Sequence, residues 1–248
     1  MKILGIDSSG LVAATALMSD GIVTAEYQIH NKKTHSQTLM PMISEMMSMA
    51  DVKPEELDAI AVSEGPGSFT GLRIGASIAK GLAWTLKIPI VPVSSLMGLA
   101  ANVEMPGQIV CPIMDARRNQ VYTGIYRFED HKLVTVEAQM AVPMMEMIDK
   151  LNERGEEVIF LGDGVPVFAK MIQENLKVPY SFAPAHVNKQ RAAAVAALGA
   201  LYAKEGKVVT AMEHVPEYLR VSQAERERAQ KLKEQEAAGE AAKNEVQP

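Results

Sequence analysis

The sequence has 248 residues, of which 48% are hydrophobic, so the chain can bury a sizeable core and is long enough for two modest domains. Its 25 lysine and arginine residues against 30 aspartate and glutamate residues give a net charge of −5, which excludes an overall basic field for nucleic acid. The single cysteine, Cys111, excludes a disulfide within one chain and is typical of a reducing cytoplasm.

The first half begins with a strand, an acid and a hairpin. A short apolar strand at residues 3–6 runs into Asp7 and the polar turn Ser8-Ser9-Gly10, and strands at 11–18 and 22–29 follow. Because the apolar N-terminal run meets Asp7 so early, it does not match a signal peptide, and no apolar run approaches the length of a membrane span. We therefore expect a cytoplasmic protein that does not enter a membrane.

A methionine-rich helix is predicted from the cap-like cluster at residues 34–37 to about residue 50, with Pro41 in or near its first turn. Its apolar positions cover more than one face and are Leu39, Met40, Met42, Ile43, Met46, Met47 and Met49. An apolar arc this wide fits a buried core. It also fits a docking surface, because methionine side chains adapt to partners.

Residues 65–75, Gly-Pro-Gly-Ser-Phe-Thr-Gly-Leu-Arg-Ile-Gly, join a predicted strand at 59–63 to a helix that Ser68 or Thr70 caps. Small residues recur at every fourth position of that helix, namely Gly71, Gly75, Ala79 and Ala83. An apolar stripe lies beside them, formed by Ile74, Ile78 and Leu82. Glycine in a helix costs roughly 1 kcal/mol relative to alanine. The small stripe therefore indicates close approach of another backbone, either from the same domain or from a second protein.

The pattern of strand, acid and hairpin then repeats. After a strand at 88–93 and a helix that Ser94 or Ser95 caps, a strand at 109–114 ends in Asp115 and a hairpin follows at 121–138. The rest of the second half predicts helices at 143–152, after Gly164 and at 188–205, and a strand at 158–161. We expect domains at 1–104 and 105–222, with the last helix able to pack back on the first domain, and a charged, helical or disordered tail at 223–248.

The duplicated unit resembles the way in which acetate kinase, sugar kinase and actin-like ATPase proteins hold a nucleotide. On that comparison Asp7, Ser8, Ser9 and Asp115 are candidate nucleotide-binding residues. The alternative is that both acids only end strands and cap turns. No P-loop, dinucleotide fingerprint or nucleophile elbow is present, and no two histidines stand one helical turn apart to clip a metal.

Five segments together resemble the TsaB (YeaZ) family, the dimerisation subunit of bacterial tRNA N6-threonylcarbamoyladenosine (t6A) synthesis. They are residues 3–9, 65–75, 93–96 (Val-Ser-Ser-Leu), 115–118 (Asp-Ala-Arg-Arg) and 216–220 (Pro-Glu-Tyr-Leu-Arg), in order along the chain. The resemblance implies an α/β fold of two tandem actin-like ATPase or sugar kinase (ASKHA, ribonuclease H-like) domains with mixed sheets. The family is also grouped with M22-like peptidases.

The resemblance further implies a scaffold that is not itself an enzyme. TsaB-like subunits bind TsaD, which transfers the threonylcarbamoyl group to adenosine 37 of tRNAs reading ANN codons, and TsaE completes the assembly. TsaD-like relatives carry a His-x-x-x-His metal pair where this chain has Ser95 and Leu99, so we expect no catalytic residue and no metal. We also expect no cofactor of its own, ATP or ADP at the interface with TsaD, tRNA contact only through the complex, and a homodimer when alone.

The expected partner surface consists of nine residues on the two first-domain helices: Leu39, Ile43, Met46, Gly71, Ile74, Gly75, Ile78, Ala79 and Leu82. We expect Gly75→Leu to leave the monomer folded and to abolish TsaD binding. The rival class is an enzyme of the same fold, either a small-molecule kinase that binds ATP or a metallopeptidase. A third interpretation is that the small-residue stripe packs only within its own domain.

Overall fold

The computed structural model describes residues 1–31, 34–105 and 107–220. The strands of the first sheet are β1 (Lys2–Asp7), β2 (Ala13–Ser19), β3 (Ile22–Ile29), β4 (Ala59–Gly65) and β5 (Ile90–Ser94). Those of the second are β6 (Ile109–Asp115), β7 (Gln120–Glu129), β8 (Lys132–Pro143), β9 (Val158–Leu161) and β10 (Tyr180–Phe182). The helices are α1 (His35–Met49), α2 (Phe69–Leu86), α3 (Ser95–Ala100), α4 (Met144–Arg154), α5 (Val165–Asn175) and α6 (Ala192–Lys204).

The two sheets have the same topology. The first has the order β3-β2-β1-β4-β5, and the second has the order β8-β7-β6-β9-β10 when read in the same direction. In each sheet the central strand pairs antiparallel with a hairpin on one side and parallel with the next strand on the other. The expected fold class, two tandem actin-like domains with mixed sheets, is confirmed.

The first sheet is covered on both faces, because successive side chains of a strand point to opposite sides. Leu4 and Ile6 of β1 pack with α1 and α2 in one core cluster. Ile3 packs with α6 in another, beside Val195 and Ala196. The first domain is therefore discontinuous, because a helix from residues 192–204 completes its core. The predicted tail, 223–248, lies outside the described residues.

The second sheet is also covered on both faces. Helices α4 and α5 bury Met147, Ile148 and Ile172 on one side. On the other side, Leu96 and Leu99 of α3 belong to a core cluster with residues of β6, β7 and β9. Because α3 follows β5 directly and also contacts α6, it forms an apolar joint between the two domains.

Most predicted elements are present, although several bounds differ: β8 extends to Pro143 rather than to residue 138, and α6 begins at Ala192 rather than at residue 188. Strand β10 is a three-residue strand that periodicity could not detect. Strand β2 begins at Ala13 rather than at residue 11. Pro41 lies in the second turn of α1, not the first, where it removes the helical donor for the carbonyl of exposed Gln37. Within the described ranges, no helix combines the length and the apolar character needed to span a bilayer.

Candidate functional site

An open cleft of about 860 Å³ lies between the two domains, where β1 and β6 end. The first domain contributes the turn after β1 and the first turn of α2, and the second domain contributes the turn after β6. Residues that line it include Ser9, Gly10, Leu11, His35, Ser68, Phe69, Thr70, Ile74, Asp115, Arg117, Asp163, Tyr218 and Arg220. This is the position at which the duplicated fold would admit a ligand.

On the first-domain wall, the acid and both hydroxyls are used internally. Asp7 is only 1% exposed and accepts hydrogen bonds from Ser9 N at 2.9 Å and Ser9 Oγ at 2.7 Å. Ser8 Oγ donates to the Gly71 carbonyl at 2.8 Å. Burial raises the pKa of Asp7, although both bonds from Ser9 oppose that shift. Asp7 and Ser8 do not line the cleft, and their contact with a nucleotide stays an untested prediction.

The second-domain wall keeps polar groups in contact with the cleft. Asp115 accepts a hydrogen bond from Arg117 N at 2.8 Å and lies 3.4 Å from the Arg117 guanidinium. Asp163 accepts one from Asp115 N at 3.2 Å, and burial raises its pKa. The structure thus brings Ser9 and Asp115, but not Asp7 and Ser8, to one cleft. Their contact with a nucleotide remains a prediction.

Residues 205–220, which we call the C-terminal strap, connect the two walls. Lys80 Nζ donates to the His214 carbonyl at 3.0 Å, and Glu217 N donates to the Glu64 carbonyl at 2.7 Å. At its end, an Arg220 guanidinium nitrogen donates to the Ala116 carbonyl at 2.7 Å, in the second domain. Sequence reasoning missed this role, because the strap has no periodic pattern. The segment at 216–220 was informative only as part of the family resemblance.

An aromatic and guanidinium cluster fixes the strap to α2. The rings of Phe69 and Tyr218 lie 4.8 Å apart between centroids, and the Arg73 guanidinium lies 3.9 Å from the Phe69 centroid. Arg73 Nε also donates to the Tyr218 hydroxyl at 3.2 Å. Such contacts each add on the order of 1 kcal/mol. The cluster therefore holds the strap at the junction of the cleft and α2.

An acidic pair between β4 and the strap, Glu64 and Glu217, should respond to pH. Burial and the nearby carboxylate of Glu217 raise the pKa of Glu64 to about 7. The folded chain binds the Glu64 proton more tightly than the unfolded chain does. The stabilising contribution of Glu64 is therefore full below the ordinary pKa of 4.5 and is lost as the pH rises through 7.

Between about pH 5 and about pH 8 we therefore expect the melting temperature of the wild type to fall relative to that of Glu64→Gln. Glu129→Gln, at an exposed hairpin end, is the control. If the melting temperatures of the wild type and of Glu64→Gln changed with pH by the same amount, the prediction would be contradicted.

The small-residue stripe of α2 packs inside its own domain. A Cβ added at Gly71 would lie 2.1 Å from the Ser8 carbonyl oxygen, and one at Gly75 would lie 2.4 Å from Ser8 Oγ. Ala79 and Ala83 are buried in the core cluster that contains β1. The interpretation that this stripe packs within its own domain is confirmed.

This finding corrects most of the expected partner surface. Six of the nine residues are buried by their own domain: Leu39, Ile43, Met46, Gly71, Gly75 and Ala79. They cannot meet a second protein without unfolding the first domain. Because an added Cβ at Gly75 already meets Ser8 Oγ, we now expect Gly75→Leu to destabilise the monomer. Ile74, Ile78 and Leu82 are half-buried, so they remain candidates for a contact surface.

The accessible part of α2 is its outer face, which we define as Arg73, Ile74, Ser77, Ile78 and Leu82. An open groove of about 520 Å³ runs along it, between α2 and the exposed Met40 of α1. At the far end of the helix, Trp84 is 66% exposed. Phe69, Thr70 and Ile74 line both this groove and the interdomain cleft. A partner in the groove would therefore border the cleft.

The two positions at which the sequence resemblance led us to expect no metal-binding histidines are fully buried. Ser95 and Leu99 have no exposed surface, and Leu99 belongs to the core cluster at the domain joint. Burial also raises the pKa of Cys111 to about 12, so its thiol is inert. Among the described residues, no three histidine, cysteine, aspartate or glutamate side chains are grouped so as to hold a metal ion.

Comparisons with known proteins match a TsaD family model and curated TsaB proteins. The family model described as TsaD, tRNA N6-adenosine threonylcarbamoyltransferase, matches residues 23–228. The tRNA threonylcarbamoyladenosine biosynthesis protein TsaB of Bacillus subtilis (strain 168) is 39% identical over 225 residues, which is 91% of this chain and 96% of that protein. TsaB of Escherichia coli (strain K12) is 31% identical over 66% of this chain and 72% of its own length. The solved structure described as YeaZ from Pseudomonas aeruginosa superposes with a TM-score of 0.74 and 26% identity, over 88% of this chain and 99% of that one.

Proposed function

We propose, because this chain belongs to the TsaB (YeaZ) family, that it is a non-catalytic subunit of the complex that makes t6A in tRNA. In this role it binds TsaD and is required for threonylcarbamoylation of adenosine 37 in tRNAs reading ANN codons. TsaD performs the transfer, and TsaE joins the assembly. The place of action is the cytoplasm, and without TsaD the chain pairs with itself.

One observation supports the scaffold role most directly, the outer face of α2. Ile74, Ile78 and Leu82 are only half-buried there, and the groove beside them has an exposed methionine on its other wall. Apolar side chains grouped on an exposed helix face are typical of a helix-packing interface. A partner helix in the groove would remove them from water. It would also touch Phe69 and Thr70 at the cleft.

The non-catalytic part of the proposal is supported by the chemistry of the cleft. A kinase of this fold needs its first-domain acid free to act on metal or substrate, whereas Asp7 is buried and bonded to Ser9. We propose that this chain needs no cofactor of its own. ATP or ADP, if used, would lie between the cleft and TsaD, with Asp115 nearest to it, because Ser9 is fully buried and its hydroxyl is bonded to Asp7.

Reconstituted tRNA modification tests the proposal. We expect that omitting this chain from a mixture of TsaD, TsaE, tRNA and the other components of the pathway abolishes t6A formation, and that adding it back restores it. The chain alone should form no t6A, and mass spectrometry of nucleosides from the digested tRNA measures both results. Equal t6A formation without the chain, or transfer by the chain alone, would refute the scaffold role.

A further inference from the structure

Three arginines stand together at the second-domain edge of the cleft. Arg117 and Arg118 belong to the turn between β6 and β7, and Arg220 ends the C-terminal strap against Ala116 of that turn. We call them the arginine rim. We propose that the arginine rim binds backbone phosphates of tRNA, an assignment that rests on the function proposed above and adds a direct RNA contact to it.

The turn holds its arginines on a fixed base. Arg117, Arg118 and Asn119 have φ values of 65°, 56° and 58°, a left-handed conformation that costs roughly 1–2 kcal/mol per residue. Hydrogen bonds maintain it: Arg117 N donates to Asp115 at 2.8 Å, Gln120 N to the Arg117 carbonyl at 3.1 Å, and Met144 N to the Asn119 carbonyl at 3.1 Å. Because the backbone is already ordered, a ligand does not have to order it on binding.

The charge that reaches solvent at this edge is positive. The Arg117 side chain is 83% exposed, whereas Asp115, its ion-pair partner at 3.4 Å, is 18% exposed. Arg118 is exposed and has no ion pair among the described residues. Asp163 is half-buried with a raised pKa, and the exposed Glu217 carboxylate accepts a hydrogen bond from Gln139 at 2.6 Å. The acids are thus recessed or bonded, whereas Arg117 and Arg118 are exposed and Arg220 is half-buried against the Ala116 carbonyl.

A net charge of −5 does not cancel this local field. At physiological salt, charges more than about 8 Å apart are largely screened, so a polyanion at the turn interacts mainly with the charges beside it. Guanidinium groups suit phosphate because they donate two parallel hydrogen bonds to it. The arginine rim therefore offers a local phosphate-binding edge on an acidic chain.

Arg118 distinguishes RNA from a free nucleotide as the molecule that would supply the bound phosphate. Arg117 and Arg220 line the cleft, but Arg118 does not. A mononucleotide bound within the cleft would meet the first two and leave Arg118 in solvent. An RNA strand that lies across the mouth can contact Arg118 as well. The dependence of binding on Arg118 therefore distinguishes RNA from a mononucleotide.

The test is fluorescence anisotropy of a labelled, unmodified tRNA transcript titrated with the full chain, at salt from about 50 mM to about 200 mM. Arg118→Ala should weaken binding about fivefold and lower the slope of log affinity against log salt by about 0.7–0.9, the range for one lost phosphate contact. The double variant Arg117→Ala/Arg118→Ala should lower the salt slope about twice as much. Arg118→Lys keeps the positive charge and should retain most of the slope. Lys204→Ala, at the far end of α6, is the control. Melting curves verify that each variant is folded.

Absence of RNA binding by the wild-type chain at the lowest salt would overturn the proposal, and so would equal slopes for Arg118→Ala and Lys204→Ala. It would also be overturned if the double variant lost only ATP or ADP binding. If RNA binding needs the arginine rim but t6A forms without this chain, the proposed function fails and this inference stands. If t6A formation needs the chain but RNA binding does not depend on the arginine rim, the proposed function stands and this inference fails.

Discussion

Replacing Gly71 with alanine should cost the folded chain about 3 kcal/mol, because overpacking a tight contact typically costs roughly 1–3 kcal/mol and this one is against backbone. The added Cβ would lie 2.1 Å from the Ser8 carbonyl oxygen, which must move together with the end of β1. At Gly75 the nearest atom is Ser8 Oγ at 2.4 Å, the end of a side chain. Gly75→Ala should therefore cost less than Gly71→Ala.

Gly81 provides the matched control on the same helix. No atom lies within 4 Å of a Cβ added there, and the residue is exposed. Gly81→Ala should stabilise the chain by up to about 1 kcal/mol, through helix propensity alone. In thermal unfolding followed by circular dichroism, we expect Gly71→Ala to lower the melting temperature by about 6 °C or more and Gly81→Ala to raise it by about 2 °C. Equal melting temperatures for the two variants would show that the stripe does not pack as described.

The second large effect should appear in partner binding. We expect Ile74→Glu to weaken binding to TsaD by about 2 kcal/mol or more, roughly thirtyfold, because it would place a carboxylate in an apolar contact. Ile74 is preferred for this test because it belongs to none of the core clusters, whereas Ile78 and Leu82 pack partly against the first. The monomer should therefore fold normally. Calorimetric titration of TsaD with the variant measures the loss, and t6A formation should fall with it.

Val167→Glu is the control for this substitution. Val167 is 58% exposed on α5 of the second domain, so the change also places a glutamate on a helix surface, away from α2. It should bind TsaD as the wild type does. If Ile74→Glu and Val167→Glu bind TsaD with equal affinity, the outer face of α2 is not the contact surface.

The sequence predicted the duplicated fold because the signals for it are local. A buried strand, an acid and a hairpin occur twice, at Asp7 and at Asp115, and both predicted hairpins form antiparallel pairs. The N-cap of α2 could be predicted for the same reason, because it joins residues only three positions apart: Ser68 Oγ accepts a hydrogen bond from Gly71 N at 3.2 Å. Strand β10 has three residues, too few to show a period.

The site was harder to predict because its features depend on direction and distance. A stripe of small residues shows that some backbone comes close, but it does not identify that backbone. In this chain it is the turn at Ser8. An acid that ends a strand can face a cleft or its own turn, and Asp7 faces its own turn. The C-terminal strap acts through contacts between residues more than a hundred positions apart, such as Arg73 with Tyr218.

The return of α6 to the first sheet has a consequence for biosynthesis. While the ribosome is still making the second domain, Ile3, Ala61 and Val91 have no helix to cover them, because Val195 and Ala196 have not been translated. The nascent first domain therefore exposes an apolar sheet face until α6 has emerged, and exposed apolar surface of this kind promotes aggregation. A message truncated before codon 192 should yield an aggregating product rather than a soluble half-protein.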